Sequence, residues 1–386
     1  MTRNLDTIRV MDLFAGCGGL SKGFHDAGFK IIVANEIWMP AIESYKVNFP
    51  QVKLIEGDIR NPQVQQKLVK ESKDNQIDVI IGGPPCQGYS SSGYRNLLDD
   101  RGNLFKEYAK LIKDIRPKIF LMENVKGILS MKGLNPDLSS SELKKAKQLS
   151  LNLYRFKVLK RYMAQRELNE DEKKELNALS DNFLTFKHDL KKYSVPLIDL
   201  IQHEFRKVGY QTKIKMLNSV NFGIPQKRNR VFIIGMKEFN GIDPFPEPKS
   251  EGIISVKKVL VDLEFSPNKS LPNHVYTNHK PPFVKKIKQT KSGESVYKKY
   301  KEGFYRLIED EPSPTVKENH GSVFVHYKED RVLTPRELAR LQSFSDNFIF
   351  KGTKGSVLKQ IGNAVPPKLG QAFAEKFKSI IKNLKS

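Results

Sequence analysis

Cysteine is nearly absent from this chain, with 2 residues in 386. Two cysteines exclude a disulfide framework and a thiolate zinc site. Each is therefore read singly, as a small buried hydrophobe or as a reactive thiol. In a cytosolic setting both stay reduced. Tryptophan occurs once, at Trp38. No apolar run reaches 18 residues, so no transmembrane helix is expected. Met1–Asp6 holds no apolar core either, so no secretory signal is expected. Acidic residues are in short supply: 43 Asp and Glu face 66 Lys and Arg, a formal net charge of +23. A surplus of that size favours a polyanionic partner, most simply nucleic acid.

What is present is a repeated pattern over the first 125 residues. A short apolar run is followed by a loop and a mixed helical stretch, and the runs are Ile8–Phe14, Lys30–Ala34, Val52–Ile55, Ile77–Ile81 and Lys118–Met122. This alternation predicts an α/β fold with a doubly wound parallel sheet. Polar groups close the runs: Asp12, Glu36, Asp58, Cys86 and Glu123. Parallel strands would gather them along one sheet edge, where such folds bind ligands.

Residues 131–195 break the pattern. Leu143–Arg161 and Arg166–Leu190 are predicted to be helical, an inserted pair, and residues 131–195 hold 14 Lys and Arg against 9 Asp and Glu. A solvated appendage and a DNA-contacting arm both fit that composition. Tyr210–Asn218 and Arg230–Met236 predict an antiparallel pair. From Lys237 to Asp330 prolines cluster and helical periodicity fades, as in a separate small domain. Within it, residues 269–301 hold nine lysines and one acid, Glu294. Tyr276, Phe283, Tyr297 and Tyr300 are interleaved there, a pattern suited to tracking phosphates. Lys285, Lys286 and Lys288 are its candidate DNA contacts. Thr334-Pro335-Arg336-Glu337 is a capping box opening a helix through Leu341. A last helix over about Pro367–Leu384 repeats Leu369, Phe373, Phe377, Ile380 and Ile381 at core spacing.

Four segments carry chemistry. Gly82-Gly83-Pro84-Pro85-Cys86-Gln87-Gly88 places a lone cysteine in a rigid loop after a buried strand, as a candidate nucleophile. Asp12-Leu13-Phe14-Ala15-Gly16-Cys17-Gly18-Gly19 gives a glycine turn between strand and helix, and Glu36 follows Gly16 by twenty residues, where dinucleotide folds bind ribose hydroxyls. Ser21 stands where the third glycine of the dinucleotide pattern belongs, which favours a nucleoside-type ligand over a pyrophosphate. Trp38 suits either adenine stacking or core packing. Glu123 is either a structural acid or the proton-handling partner of a thiol. Gln226-Lys227-Arg228-Asn229-Arg230 sends alternating arginines into a strand.

Together these motifs make the chain resemble a C5-cytosine DNA methyltransferase. Asp12–Gly19, Gly83-Pro84-Pro85-Cys86-Gln87, Glu123-Asn124-Val125, Gln226-x-Arg228-x-Arg230, Arg336-Glu337-x-Ala339-Arg340-x-Gln342 and Gly362-Asn363-Ala364-Val365-Pro366-Pro367 occur in that family's order. Gly88-Tyr89-Ser90 fits its DNA-modifying branch better than its tRNA branch. The resemblance implies a Rossmann-like sheet that binds S-adenosylmethionine, a small target-recognition domain and a helical insertion. It implies boundaries at 1–130 (catalytic and cofactor-binding), 131–195 (insertion), 196–236 (catalytic), 237–330 (target recognition) and 331–386 (catalytic, with the closing helices). Phe14, Gly16, Gly18 and Gly19 would line the methionine end of the cofactor, and Glu36 its ribose. Asp58 and Ile59 would lie near the adenine. Ile37, Trp38, Pro84, Leu104, Asn363 and Val365 would complete the pocket. Cys86 would add to C6 of a flipped-out cytosine, and Glu123 would engage N3 and the exocyclic amine. Arg230 would contact the base and Arg228 would support the catalytic loop. Gln87–Gly102 would close as a lid, with Ser90 touching DNA. The implied setting is a monomer acting on double-stranded DNA in a bacterial cytoplasm, paired functionally with a restriction endonuclease.

Overall fold

The computed structural model describes residues 7–85, 104–249, 252–265, 270–298, 303–318 and 323–383. Cys86, Ser90, Tyr300 and the expected lid at 87–102 lie outside the described residues.

Among the described residues the nine strands are β1 (Arg9–Leu13), β2 (Lys30–Glu36), β3 (Lys53–Glu56), β4 (Val79–Gly82), β5 (Ile119–Val125), β6 (Lys132–Leu134), β7 (Ser194–Pro196), β8 (Gln211–Asn218) and β9 (Asn229–Met236). Seven form one sheet in the order β3-β2-β1-β4-β5-β9-β8. The first five pair in parallel, and β8 and β9 add antiparallel at the β5 edge. The chain order reverses at β1, which pairs with both β2 and β4, and a crevice opens at such a switch point.

The central strands β1, β4, β5 and β9 are largely apolar because both faces are covered, whereas β8 at the sheet edge is mostly polar and at least partly exposed. Val10, Val79, Ile81, Ile119, Leu121, Phe232 and Ile234 join one buried cluster, while Met11, Leu13, Ile80, Phe120, Met122, Val231 and Ile233 join the other. That is the period-two alternation of a strand. Of the helices α1 (Gly19–Asp26), α2 (Met39–Asn48), α3 (Pro62–Asn75) and α4 (Leu104–Ile115), the first feeds Leu20 and Phe24 to the first face, and α3 and α4 feed Val64, Leu68, Tyr108 and Leu111 to the second.

The insertion contains α5 (Ser140–Met163), α6 (Glu170–Asp181) and α7 (Phe183–Lys192). The predicted helix over Arg166–Leu190 is thus two helices. Asn182 divides them, ending α6 at φ −99° and ψ 1° while serving as the N-cap position of α7. Next, α8 (Leu197–Lys207) buries Leu197, Ile201 and Phe205, spaced by four, on the second face. Then come α9 (Val256–Leu260), α10 (Pro281–Gln289), α11 (Pro335–Leu341), α12 (Lys354–Asn363) and α13 (Pro367–Asn383). The capping box holds: Thr334 Oγ1 accepts the Glu337 N–H, and Glu337 accepts the Thr334 N–H.

Described residues of 237–330 share a buried cluster with the sheet. Phe239, Phe245, Val256, Leu260, Leu307 and Phe324 join the cluster that α1 and α13 build on the sheet. Among the described residues no helix is long and apolar enough to cross a membrane.

Candidate active site

Asp12, Glu36, Asp58 and Glu123 stand at or past the carboxyl ends of parallel strands, and Arg228 and Arg230 meet that edge from the start of the antiparallel β9. After β1 the chain turns through Phe14–Gly18. Phe14 sits at φ +56°, in the left-handed region that bulky residues rarely occupy, and such strain is characteristic of ligand-binding turns. Gly16 is also at φ +56°, and a Cβ built on it would meet no atom within 4 Å. Open space therefore faces the backbone at Gly16. Gly19 is glycine for a different reason: a Cβ there would lie 2.3 Å from the Val365 carbonyl oxygen.

Glu36, at the end of β2, anchors this turn. One carboxylate oxygen accepts the Gly16 N–H at 2.7 Å, and the other accepts the N–H groups of Ile37 and Trp38 at 2.8 and 2.9 Å. A carboxylate offers about four acceptor positions, so one remains for a ligand hydroxyl. Phe14, Glu36, Ile37, Asp58, Ile59 and Leu104 line a single cleft, together with Asn35, Gly57, Arg60 and Pro85. Ile37 is 60% exposed at its edge, an apolar surface available to a flat ring. Arg60 holds Asp58 with an Nη2 to Oδ2 contact of 2.5 Å, and this hydrogen bonding keeps the Asp58 carboxyl below its usual range.

Gly16, Gly18, Gly19, Trp38, Pro84, Asn363 and Val365 are not among the residues that line this cleft. Trp38 gives its amide to Glu36, and its ring lies under the Lys359 ammonium at 4.9 Å, outside the cleft lining. Asn363 donates to Glu318 at 3.2 Å, and Val365 turns its carbonyl to Gly19. Sequence reasoning missed Asn35, whose amide donates to the carbonyls of Ile55 and Gly57 at 2.8 and 3.1 Å and so fixes the β3 turn. Its position at the end of a strand next to Glu36 was the available signal.

Ser21, which replaces the third glycine, donates to Asp12 Oδ2 at 2.7 Å and lies 2.7 Å from Tyr45 Oη. Burial pushes Asp12 up to about 7, the Glu36 charge adds to this, and the Ser21 bonds oppose it. The native carboxyl thus keeps a proton over a range where an unfolded one has lost it. Stability from this group must fall as pH rises from about 4 to 7. Asp12→Asn has no such titration, so its melting temperature relative to wild type should rise between pH 5 and pH 8. A difference independent of pH would contradict this.

The second half of the site lies between β4 and β5. Pro85 lines the cleft and is the residue before Cys86. Asn124 Nδ2 donates to the Pro84 carbonyl at 3.0 Å, tying the Pro-Pro loop to β5. A Cβ on Gly83 would sit 3.1 Å from Glu123 Oε2, so the loop and the carboxyl are in close apposition. Arg230 Nε contacts Glu123 Oε1 at 2.9 Å, with both side chains largely shielded. Burial raises the Glu123 pKa, against the pull of Arg230 and Arg228, and burial lowers that of Arg230 despite Glu123. For both partners the loss of solvent outweighs the attraction. Asn124→Ala should free the loop and lower kcat roughly tenfold to hundredfold, in line with the cost of ångström-scale misplacement, with melting and cofactor affinity little changed. Unaltered kcat would remove Asn124 from this role.

A family model described as C-5 cytosine-specific DNA methylase matches residues 8–146 and 186–379. The chain belongs to this family. The methyltransferase is 32% identical over 388 residues to the type II methyltransferase M1.HphI of Haemophilus parahaemolyticus, covering 96% of this chain and 86% of that one. It is 30% identical over 434 residues to M.DdeI of Desulfomicrobium norvegicum, covering 98% and 90%. The fold is shared with a crystallised candidate DNA modification methyltransferase from an E. coli prophage, with a TM-score of 0.67, 23% identity, and coverage of 97% and 100%.

The remaining motifs of the methyltransferase lock its body together. Gln226 donates to Leu341 O at 3.2 Å and Gln342 Oε1 at 2.9 Å, and accepts the Val316 N–H at 3.0 Å. Gln342 donates to Ile361 O at 2.6 Å. Arg228 is fully buried and donates to the carbonyls of Val316, Gly362 and Ala364 at 2.9, 2.7 and 3.1 Å. Its expected support of the catalytic loop involves residues outside those described; what is described is a clamp on the 362–364 segment.

Lys285, Lys286 and Lys288 are exposed on α10. The aromatics expected beside them as a stacking surface are largely packing groups. Phe283 and Tyr297 both meet Phe304, and Arg331 lies 3.9 Å from the Tyr276 ring centroid.

Proposed function

We propose that this DNA cytosine-5 methyltransferase uses S-adenosylmethionine and a covalent Cys86 adduct to modify one cytosine in a short duplex sequence, with 237–330 as the region that selects the site. The observation that carries this reading is the adjacency of two half-sites. Pro85 belongs to the nucleoside-shaped cleft, and the loop it shares with Cys86 lies against Glu123.

The cleft suits the cofactor: an anchored carboxylate with spare capacity, an exposed Ile37 and open space at Gly16. Glu36 would hold the ribose, and Asp58 and Ile59 the adenine. Bound there, S-adenosylmethionine supplies an electrophilic methyl group. The chain's own residues prepare the acceptor. The target base must leave the stack, since stacking covers both faces of its C5–C6 bond. Cys86 as thiolate forms a bond to C6, and the C5–C6 π pair moves into the ring. Glu123, whose pKa burial raises, would donate a proton to N3 and let the ring take that charge. C5 then carries the pair that accepts the methyl group. Loss of the C5 proton re-forms the double bond and expels the thiolate. Arg230 pairs with Glu123 and would contact the base. Lys285, Lys286 and Lys288 would meet phosphates, and Ser90 the target strand.

The type II names of its relatives support a restriction–modification setting; in that setting a separate endonuclease would be the functional counterpart, and the enzyme would act as a cytoplasmic monomer. The test is bisulfite sequencing of a plasmid incubated with the protein, with and without S-adenosylmethionine. Cofactor-dependent protection confined to cytosines of one short motif is expected. DNA binding without any protection would refute the assignment.

A further inference from the structure

The helical insertion is built as a charged arm. Its base, β6 paired with β7, begins nine residues after Glu123, so it leaves the sheet at the edge that carries the site. Its three helices hold a small cluster of their own, with Leu159, Leu168 and Leu176 buried and Phe156 and Leu179 packed beside them, apart from the two clusters of the sheet. The family model leaves residues 147–185 unmatched. The arm is therefore an addition to the shared catalytic body.

Its charges are segregated. Of the 24 residues of α5, seven are Lys or Arg and one, Glu142, is acidic. The acids gather on α6, five against two lysines. Several are engaged internally: Glu175 accepts two hydrogen bonds from Arg155 at 2.8 Å, and Glu172 accepts from Arg166 at 2.8 and 2.6 Å. Lys144, Lys145 and Lys147 are exposed near the start of α5. They stand beyond the first turn of α5, where Glu142 is the one acid on the helix. A helix of this length spans about 36 Å, close to one turn of B-DNA.

We propose that α5 is a second DNA-contact surface, tracking phosphates of the duplex that flanks the modified site. This rests on the DNA-methyltransferase reading and extends it to a helix whose greater part, residues 147–163, lies outside the family's matched residues. Phosphate contact of this kind adds affinity and salt dependence without reading sequence.

The test compares wild type with the triple variant Lys144→Gln/Lys145→Gln/Lys147→Gln. The probes are 14- and 40-base-pair duplexes centred on the site that bisulfite mapping defines, with binding followed by fluorescence anisotropy from 50 to 200 mM KCl. On the long duplex the variant should bind more weakly, on the order of tenfold, and its plot of log affinity against log salt should flatten by up to about 2.7, at about 0.9 per lost contact. On the short duplex the two proteins should nearly coincide, and kcat at saturating DNA should be unchanged. Equal affinity and slope on the long duplex would overturn the proposal. Equal losses on both lengths would also overturn it, since the contacts would then lie within the target. Removal of 135–193 is the second variant, expected to show the same length-dependent loss. A wild-type protein that protects no cytosine would defeat the assigned activity itself, a separate result read from the bisulfite map.

Discussion

Cys86→Ser should abolish methyl transfer while leaving DNA binding intact. The thiolate is the species that adds to C6, and a free cysteine titrates near ~8.5, within reach of a cationic neighbourhood. A serine hydroxyl ionises far outside that range and is a much poorer nucleophile toward an electron-poor ring. Removing the nucleophile of a coupled catalytic unit costs on the order of 10⁴-fold or more. Phosphate contacts and base extrusion do not use the sulfur, so affinity for the target duplex should persist. The paired measurement is tritiated methyl incorporation and gel retardation on the same preparation. Turnover within a hundredfold of wild type would sink the covalent mechanism.

Glu123→Gln should lower kcat by about 10²- to 10⁴-fold, the usual contribution of a positioned acid or base. Glutamine keeps a hydrogen bond to the ring but cannot deliver a proton. The pH profile separates this role from a structural one. Burial raises the Glu123 pKa, so the protonated carboxyl persists to higher pH than in an exposed glutamate. Wild-type kcat should therefore decline as pH rises through that raised value, and the glutamine variant should lack this limb. Arg230 loses its charged partner in the variant, and an unpaired buried guanidinium is costly. Melting temperature must accordingly be measured beside kcat. A variant that retains wild-type kcat would exclude Glu123 from proton handling.

Much of this architecture is legible in the residues because its determinants are local. Alternation of Val79, Ile80 and Ile81 or of Leu121 and Met122 fixes a strand buried on both faces. Strand ends then place Glu36 and Glu123 on one edge without further information. What could not be read depends on distant partners. Arg228 is written into a motif with Arg230, yet its carbonyl acceptors lie 88 to 136 residues away. Ser21 departs from the glycine pattern, and only its contacts with Asp12 and Tyr45 explain the hydroxyl. The aromatics of 276–304 look like a stacking platform in sequence because packing and stacking use the same residue types. The break at Asn182 was hidden because asparagine is only mildly unfavourable within a helix.

The central claim is that Cys86 forms a covalent bond to the target cytosine during transfer. The most direct measurement is the intact mass of denatured complexes formed on a duplex whose target cytosine carries fluorine at C5. Fluorine cannot leave as a proton does, so the adduct should persist after methyl transfer. The account predicts a mass equal to protein plus strand plus one methyl group, dependent on S-adenosylmethionine and absent from Cys86→Ser. No adduct on the fluorinated duplex, alongside normal methylation of the unmodified one, would contradict it.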